Sequence, residues 1–172
     1  MTDSLQHRLA AACTGQTNFA SPLGTLLLAR SPRGLAGAWF EGQKAHPGAL
    51  PAPRADDDAL LVAARQQLAE YFAGRRTSFD FALDLDHGTA FQRAVWQALR
   101  RIARGATTSY GTLARELGRP AATRAVGAAI GRNPLSVIVP CHRVVGSGGS
   151  LTGYAGGLAR KQALLRLEGA VA

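Results

Sequence analysis

Asn133-Pro134-Leu135-Ser136-Val137-Ile138-Val139-Pro140-Cys141-His142-Arg143-Val144-Val145 runs from apolar residues into a proline, a thiol, an imidazole and a guanidinium, then becomes apolar again. A thiol is a strong nucleophile only as thiolate, and cationic neighbours favour that form, so His142 and Arg143 are the natural candidates for activating Cys141. Adjacent side chains on an extended backbone point to opposite faces. Contact between His142 and Cys141 therefore requires a bend after Pro140 or a bridging water. The same pattern also fits a buried, inert cysteine beside a β-run; the local sequence leaves both readings open.

Working outward, the segment Ala121 to Ile130 has almost no side-chain bulk except at Arg124. A helix that reads the major groove needs several base-matching side chains, and this one offers a single arginine. A slim Ala/Gly helix suits close approach to the minor groove, roughly 6 Å wide, where one long cation could enter the base stack. It equally suits tight packing on a neighbouring helix, with Arg124 in water. Glycine and proline signals predict a helix from Tyr110 to Leu117 stopped by Gly118, then one opening at Pro120 and running to about Ile130, before Gly131. Joined by Gly-Arg-Pro, the two resemble a helix-turn-helix. Upstream, Thr89 is placed to cap a helix with Phe91, Val95, Leu99 and Ile102 on one face and Arg93, Arg100, Arg101 and Arg104 largely elsewhere.

The 172 residues, 47% of them apolar, suffice for one domain or two small ones, and Asp86-His87-Gly88-Thr89 marks the expected boundary, giving domains 1–88 and 89–172. Residues 1–88 hold 8 Lys+Arg against 9 Asp+Glu, whereas residues 89–172 hold 12 against 2. Such an arginine excess is the electrostatic footprint of a polyanion partner, most simply nucleic acid. In the first half, Leu23 to Glu41 reads as a β-hairpin turning at Ser31-Pro32-Arg33-Gly34. Asp56 to Asp58 open a helix over Leu60 to Phe72, stopped by Gly74, and Ser78 to Leu85 alternates as a half-buried strand should. This half reads as a small α/β unit of structural support. No apolar run reaches the length of about 18 that spans a bilayer. The opening MTDSLQHRLAAA contains Asp3 and lacks the order of a secretory signal, so a soluble, cytoplasmic protein is expected. Two cysteines are too few for a disulfide scaffold. Cys13, His7, His46 and His87 form no recognisable ligand set, and no metal is expected.

The sequence resembles the O6-alkylguanine-DNA alkyltransferases. Pro140-Cys141-His142-Arg143-Val144-Val145 matches that family's active-site hexapeptide. Ser109-Tyr110, Arg124-Ala125-Val126-Gly127, Asn133-Pro134, Gly153-Tyr154-Ala155-Gly156-Gly157-Leu158 and Leu167-Glu168-Gly169 match in order around it. The likeness is dense from about residue 89 to 169 and extends to the first half only in layout. It implies a ribonuclease-H-like α/β N-terminal domain and a mainly α, winged-helix or helix-turn-helix-like C-terminal domain. It also implies an irreversible, single-turnover transfer of the alkyl group from O6-alkylguanine in double-stranded DNA to Cys141, without a cofactor.

By the same resemblance, Glu168 holds His142, which takes the thiol proton through a water, and Asn133 fixes the turn before the active-site strand. Tyr110 crowds the target phosphate and donates a proton toward guanine N3. Arg124 fills the space of the extruded base, and Ala122, Thr123, Ala125, Gly127 and Ala128 form the rest of the DNA-facing helix. Pro134, Val144, Tyr154, Ala155 and Gly156 line the base pocket. Some relatives carry serine where Ala155 stands, which leaves only the backbone N–H as donor there. A monomer is expected; cooperative assembly on DNA and activity on O4-alkylthymine stay open. Two other readings are a non-catalytic lesion binder, whose known forms lack the acceptor cysteine, and a cysteine hydrolase, for which no oxyanion motif is apparent.

Overall fold

The Ser31-Pro32-Arg33-Gly34 turn closes an antiparallel pair, β2 (Gly24–Ser31) and β3 (Gly34–Phe40), with Ser31 opposite Gly34. A strand unannounced by the apolar pattern, β1 (Gly15–Ser21), pairs with the other edge of β2, so the sheet order is β1-β2-β3. The computed structural model describes residues 4–171, and Asp3 lies outside them. These divide into two compact units between His87 and Gly88. The first begins with α1 (Ser4–Ala12), which buries Leu5 and Leu9, and its longest helix is α2 (Ala59–Phe72). Asp58 caps α2 by accepting the Leu60 and Leu61 N–H groups, and Arg30 on β2 grips both oxygens of that carboxylate at 3.0 and 2.8 Å. The cap thereby ties the helix start to the sheet, over which Leu61, Ala64, Leu68 and Tyr71 are buried.

The alternating segment Ser78 to Leu85 does not become a strand. It meets β3 at one point, where Leu35 donates to Ala82 O and accepts from Asp84 N–H. Side chains take up others of its polar groups. Gln67 accepts the Asp80 N–H, and the Asp84 carboxylate turns inward to Ser31 Oγ, His87 Nε2 and the Asp86 N–H. Local Asx-type bonding of this kind competes with a sheet ladder.

In the second unit, Thr89 and Gln92 form a reciprocal capping box that starts α3 (Ala90–Leu99). The helix stops before Ile102, and its buried face is Val95, Trp96, Ala98 and Leu99, while Phe91 is only half-buried. Arg119, in the Gly-Arg-Pro turn, sits over the Phe91 ring at 5.5 Å. That turn joins α4 (Tyr110–Glu116) to α5 (Thr123–Gly131), and α5 packs against both α3 and α4. Pro120 lies in the turn rather than opening α5, whose N-cap is Ala122. The last helix is α6 (Leu158–Leu167). The unit's sheet consists of two-residue parallel strands, β4 (Thr108–Ser109) and β5 (Val144–Val145), and no β-hairpin that could serve as a wing occurs among its described residues.

Gly37 is closely packed: a Cβ there would stand 1.8 Å from Cη2 of Trp39, which is 1% exposed. Alanine gains about 0.4–1 kcal/mol by restricting the unfolded chain, whereas overpacking a closed core costs about 1–3 kcal/mol. Gly37→Ala is therefore expected to lower the urea midpoint and Tm; an unchanged midpoint would mean that the indole has room to move aside.

Candidate active site

The chain leaves α5 at Gly131 and enters a turn built on Asn133. Its Nδ2 donates to Val139 O at 2.8 Å, and its Oδ1 accepts the Leu135 N–H at 3.0 Å. The strand expected to lead into Cys141 is replaced by tight turns. Val139 N–H donates to Leu135 O, Ile138 N–H to Ser136 O, and Cys141 N–H to Val139 O. Val137 sits at φ 72°, a costly conformation for a β-branched residue, held by complete burial of residues 133–140. Cys141–Arg143 then make a single 3-10 turn, which supplies the bend needed for consecutive side chains to serve one site. β5 follows, in parallel register with β4: Thr108 faces Val144 and Ser109 faces Val145. Because Tyr110 directly follows β4, and Ser109 caps its helix by accepting the Thr112 N–H, this short ladder brings residues 110 and 141 into one neighbourhood.

Glu168, at the C-cap of α6, is buried where helix-dipole electrostatics disfavour an acid. Three bonds offset that cost. His142 Nε2 lies 2.8 Å from Oε1, Arg143 Nη2 donates to Oε1 at 2.8 Å, and Arg143 Nε donates to Oε2 at 2.9 Å. Arg143 also donates to Ile102 O at 2.5 Å. The guanidinium thus serves the carboxylate and not the thiol, which corrects its expected role as an activating neighbour of Cys141. A carboxylate that only accepts requires the proton on Nε2 of His142, leaving Nδ1 as the basic nitrogen. Nδ1 is buried and has no hydrogen-bond partner among the described residues. Burial lowers the imidazole pKa, with Glu168 opposing, so His142 is held as the neutral base.

Cys141 is 5% exposed. Burial pushes its thiol up, against the Asn133 side chain, the Lys161 charge and the Cys141 and His142 N–H groups, all of which favour the thiolate. The resting group is a thiol. Lys161, on α6, is fully buried and was not singled out from the sequence, although Lys161, Leu164, Leu165 and Glu168 at i, i+3, i+4 and i+7 place it on the apolar face. Tyr110, half-buried, donates from Oη to Thr152 O at 2.9 Å, and burial pushes its hydroxyl up, keeping the proton on. Gly127 stands against its ring, with a Cβ position 3.8 Å from Cδ1.

The outer face of α5 carries Thr123, Arg124, Ala125 and Ala128, all exposed. Val126, Ala129 and Ile130 are buried, with Trp96 Nε1 donating to Ala129 O at 2.9 Å. Small residues therefore serve both faces: close packing inside and a low profile outside. Ala122 and Gly127 are half-buried rather than outward-facing. Among the pocket candidates, Pro134, Val144 and Gly156 are buried, and Tyr154 and Ala155 half-buried. Cys13 belongs to the first unit, where burial and the Asp84 charge push its thiol up to about 11, the state of an unreactive thiol. Among the described residues no group of three or more His, Cys, Asp or Glu could hold a metal ion, and no helix is long and apolar enough to cross a membrane.

Residues 90–170 match the family model for the 6-O-methylguanine DNA methyltransferase DNA binding domain, and residues 16–85 match that for its ribonuclease-like domain. The methylated-DNA–protein-cysteine methyltransferase of Mycolicibacterium paratuberculosis is 49% identical over 151 residues, covering 86% of this chain and 88% of the relative. That of Methanosarcina acetivorans is 47% identical over 152 residues, covering 88% and 96%. A crystal structure of Mycobacterium tuberculosis OGT in complex with DNA superposes with a TM-score of 0.82 at 46% identity, covering 91% of this chain and 93% of that one. With a cysteine, a neutral histidine and a buried glutamate assembled in the matching C-terminal unit, the chain belongs to the methylated-DNA–protein-cysteine methyltransferase family.

Proposed function

We propose that this protein repairs double-stranded DNA by moving the alkyl group of O6-alkylguanine onto Cys141, once per molecule. The observation that carries this reading is the buried Glu168–His142 pair, which leaves a basic Nδ1 beside the acceptor cysteine in a chain of this family. The thiol proton passes through a water to Nδ1. As the S–C bond forms and the C–O6 bond breaks, guanine leaves with a proton delivered to N3 from the Tyr110 hydroxyl. The product is a thioether, which has no ready route back to a thiol, so one molecule repairs one lesion and needs no cofactor. Asn133 positions the acceptor turn. Pro134, Val144, Tyr154, Ala155 and Gly156 line the base pocket, with the Ala155 N–H directed at O6.

The reactive oxygen is inaccessible inside a duplex, so the base must be swung out. α5, presented by the helix-turn-helix-like α4–α5 pair of the 89–172 domain, lies in the minor groove. Its Ala122, Thr123, Ala125, Gly127 and Ala128 give a slim profile there, and Arg124 occupies the space left in the stack. The 1–88 domain, ribonuclease-H-like in form, supports it. The protein acts as a monomer in the cytoplasm, which suits two free thiols.

Incubation with a duplex containing O6-methylguanine, followed by peptide mass spectrometry, is expected to show one methyl group on the Cys141 peptide and none on that of Cys13. Bound DNA without an adduct would instead favour a lesion binder, and a methylated Cys141→Ser variant would move the acceptor elsewhere. Arg124→Ala is expected to slow duplex repair by tenfold or more while leaving reaction with free O6-benzylguanine nearly intact, because only the duplex requires extrusion; equal losses would contradict the finger role. Since burial places the His142 pKa below 6.5, the base stays neutral until the pH falls beneath that value. The rate with free O6-benzylguanine should accordingly fall on its acid side only below pH 6.5. A fall on the acid side that sets in already at or above 6.5 would remove His142 as the base.

A further inference from the structure

Arg115 lies in the last turn of α4, where the leftover carbonyls of a helix suit a cation, yet its side chain turns back the other way. Nη2 donates to Thr112 Oγ1 at 3.0 Å, and Nη1 stands 3.7 Å from the place that a Cβ on Gly111 would take. Helical side chains lean toward the preceding turn, and a glycine four residues earlier leaves room for the guanidinium there. Thr112 joins the arrangement together. Its Oγ1 also accepts from Ser109 Oγ at 2.9 Å, while Ser109 Oγ in turn accepts the Thr112 N–H. Both lone pairs of the threonine oxygen are thereby filled, and its proton is left to donate.

Thr112 takes one guanidinium N–H, and Arg115 is exposed, so further donors are open to a ligand. A hydroxyl donor beside a cationic fork fits the nonbridging oxygens of a phosphodiester. Glu116, one of two acids in residues 89–172, follows Arg115 directly and so projects from a different side of the helix. The other, Glu168, is bound to His142 and Arg143. Place in the fold narrows the ligand further. Tyr110 immediately precedes Gly111, and its ring rests against Gly127 of α5, three residues beyond Arg124. The donor pair therefore sits beside both the tyrosine of the acceptor site and the helix proposed for the minor groove.

We propose that Arg115 and Thr112 form a phosphate clamp on the lesion-bearing strand, gripping a phosphodiester next to the swung-out nucleotide. This rests on the duplex-binding part of the repair reading and assigns its backbone contact to named side chains. A base that swings out turns about its own backbone, so a held neighbouring phosphate fixes the pivot.

The test is a double-mutant cycle between protein and DNA, read as equilibrium binding of the Cys141→Ser protein to a duplex containing O6-methylguanine. The phosphates on the 5′ and 3′ sides of the lesion are replaced, one at a time, by uncharged methylphosphonate. Arg115→Gln is expected to weaken binding to the unmodified duplex about tenfold and to lower the slope of log K against log salt by about one. Arg115→Lys, which keeps the charge, should keep most of the slope. One of the two methylphosphonates should weaken the parent about tenfold yet leave the Arg115→Gln complex nearly unchanged, whereas the other costs both proteins alike. Thr112→Val should lose a smaller part of the affinity at the same phosphate. Both arginine variants change an exposed side chain, and thermal unfolding checks the fold of each.

Losses that add independently at both phosphates would overturn the proposal and leave Arg115 as a general contributor to the basic surface. A parent that binds no lesion duplex would sink the proposal together with the repair reading. Coupled losses with no methyl adduct on Cys141 of the native protein would uphold the clamp and count against the transfer alone.

Discussion

The Glu168 carboxylate is the constraint around which the second unit is organised. It is buried at the end of α6 and gathers His142 and Arg143 from one 3-10 turn, while Arg143 reaches on to Ile102 O beyond α3. Removing one member of a buried ionic cluster commonly costs about 3–5 kcal/mol, because it leaves a desolvated charge behind. The cluster therefore fixes how α6, the acceptor turn and the end of α3 meet. It also fixes the histidine tautomer, since a carboxylate already bonded to a guanidinium can only accept from Nε2. Structural and chemical roles fall on the same atoms.

A tension follows for Cys141. The pocket that would exclude water from a swung-out base also buries the sulfur, and burial favours the thiol. Opposing it are groups held rigidly around the sulfur: the Asn133 side chain, the N–H groups of the 3-10 turn, and the Lys161 ammonium. For a protein proposed to react once, a resting thiol is useful. It stays unreactive toward incidental electrophiles until base and substrate are both in place. Cys13 shows the contrast, because burial and the Asp84 charge both push it upward.

One of the two non-glycine residues held at positive φ among the described residues lies where the acceptor is presented. Val137 at φ 72° costs about 1–3 kcal/mol, held in place by the Asn133 bonds to Leu135 and Val139 and by the closed packing of residues 133–140. An apolar run rich in Val and Ile reads as a strand because β-branched side chains fit a pleated surface. Here an asparagine carboxamide substitutes for a neighbouring strand as the partner of the backbone. The same competition prevents Ser78 to Leu85 from forming a strand, with Gln67 and Asp84 supplying the side-chain bonds.

The sequence by itself determined the local features whose physics is local. These are the hairpin turn at Ser31–Gly34, the Asp58 and Thr89 caps, the glycine stops at Gly74 and Gly118, and the Cys-His-Arg acceptor motif within a basic half. Family-like blocks also pointed to Glu168, Asn133 and Tyr110 as partners of that motif. Only the tertiary structure decided what each charge faces. Arg143 turned to Glu168 rather than to the thiol, Lys161 was drawn inward to three carbonyls, and Ala122 and Gly127 were half-covered while Arg124 was left exposed. Those outcomes depend on contacts between residues dozens of positions apart. Periodicity assigns a lysine to a helix face, but the surroundings of that face belong to the packed fold.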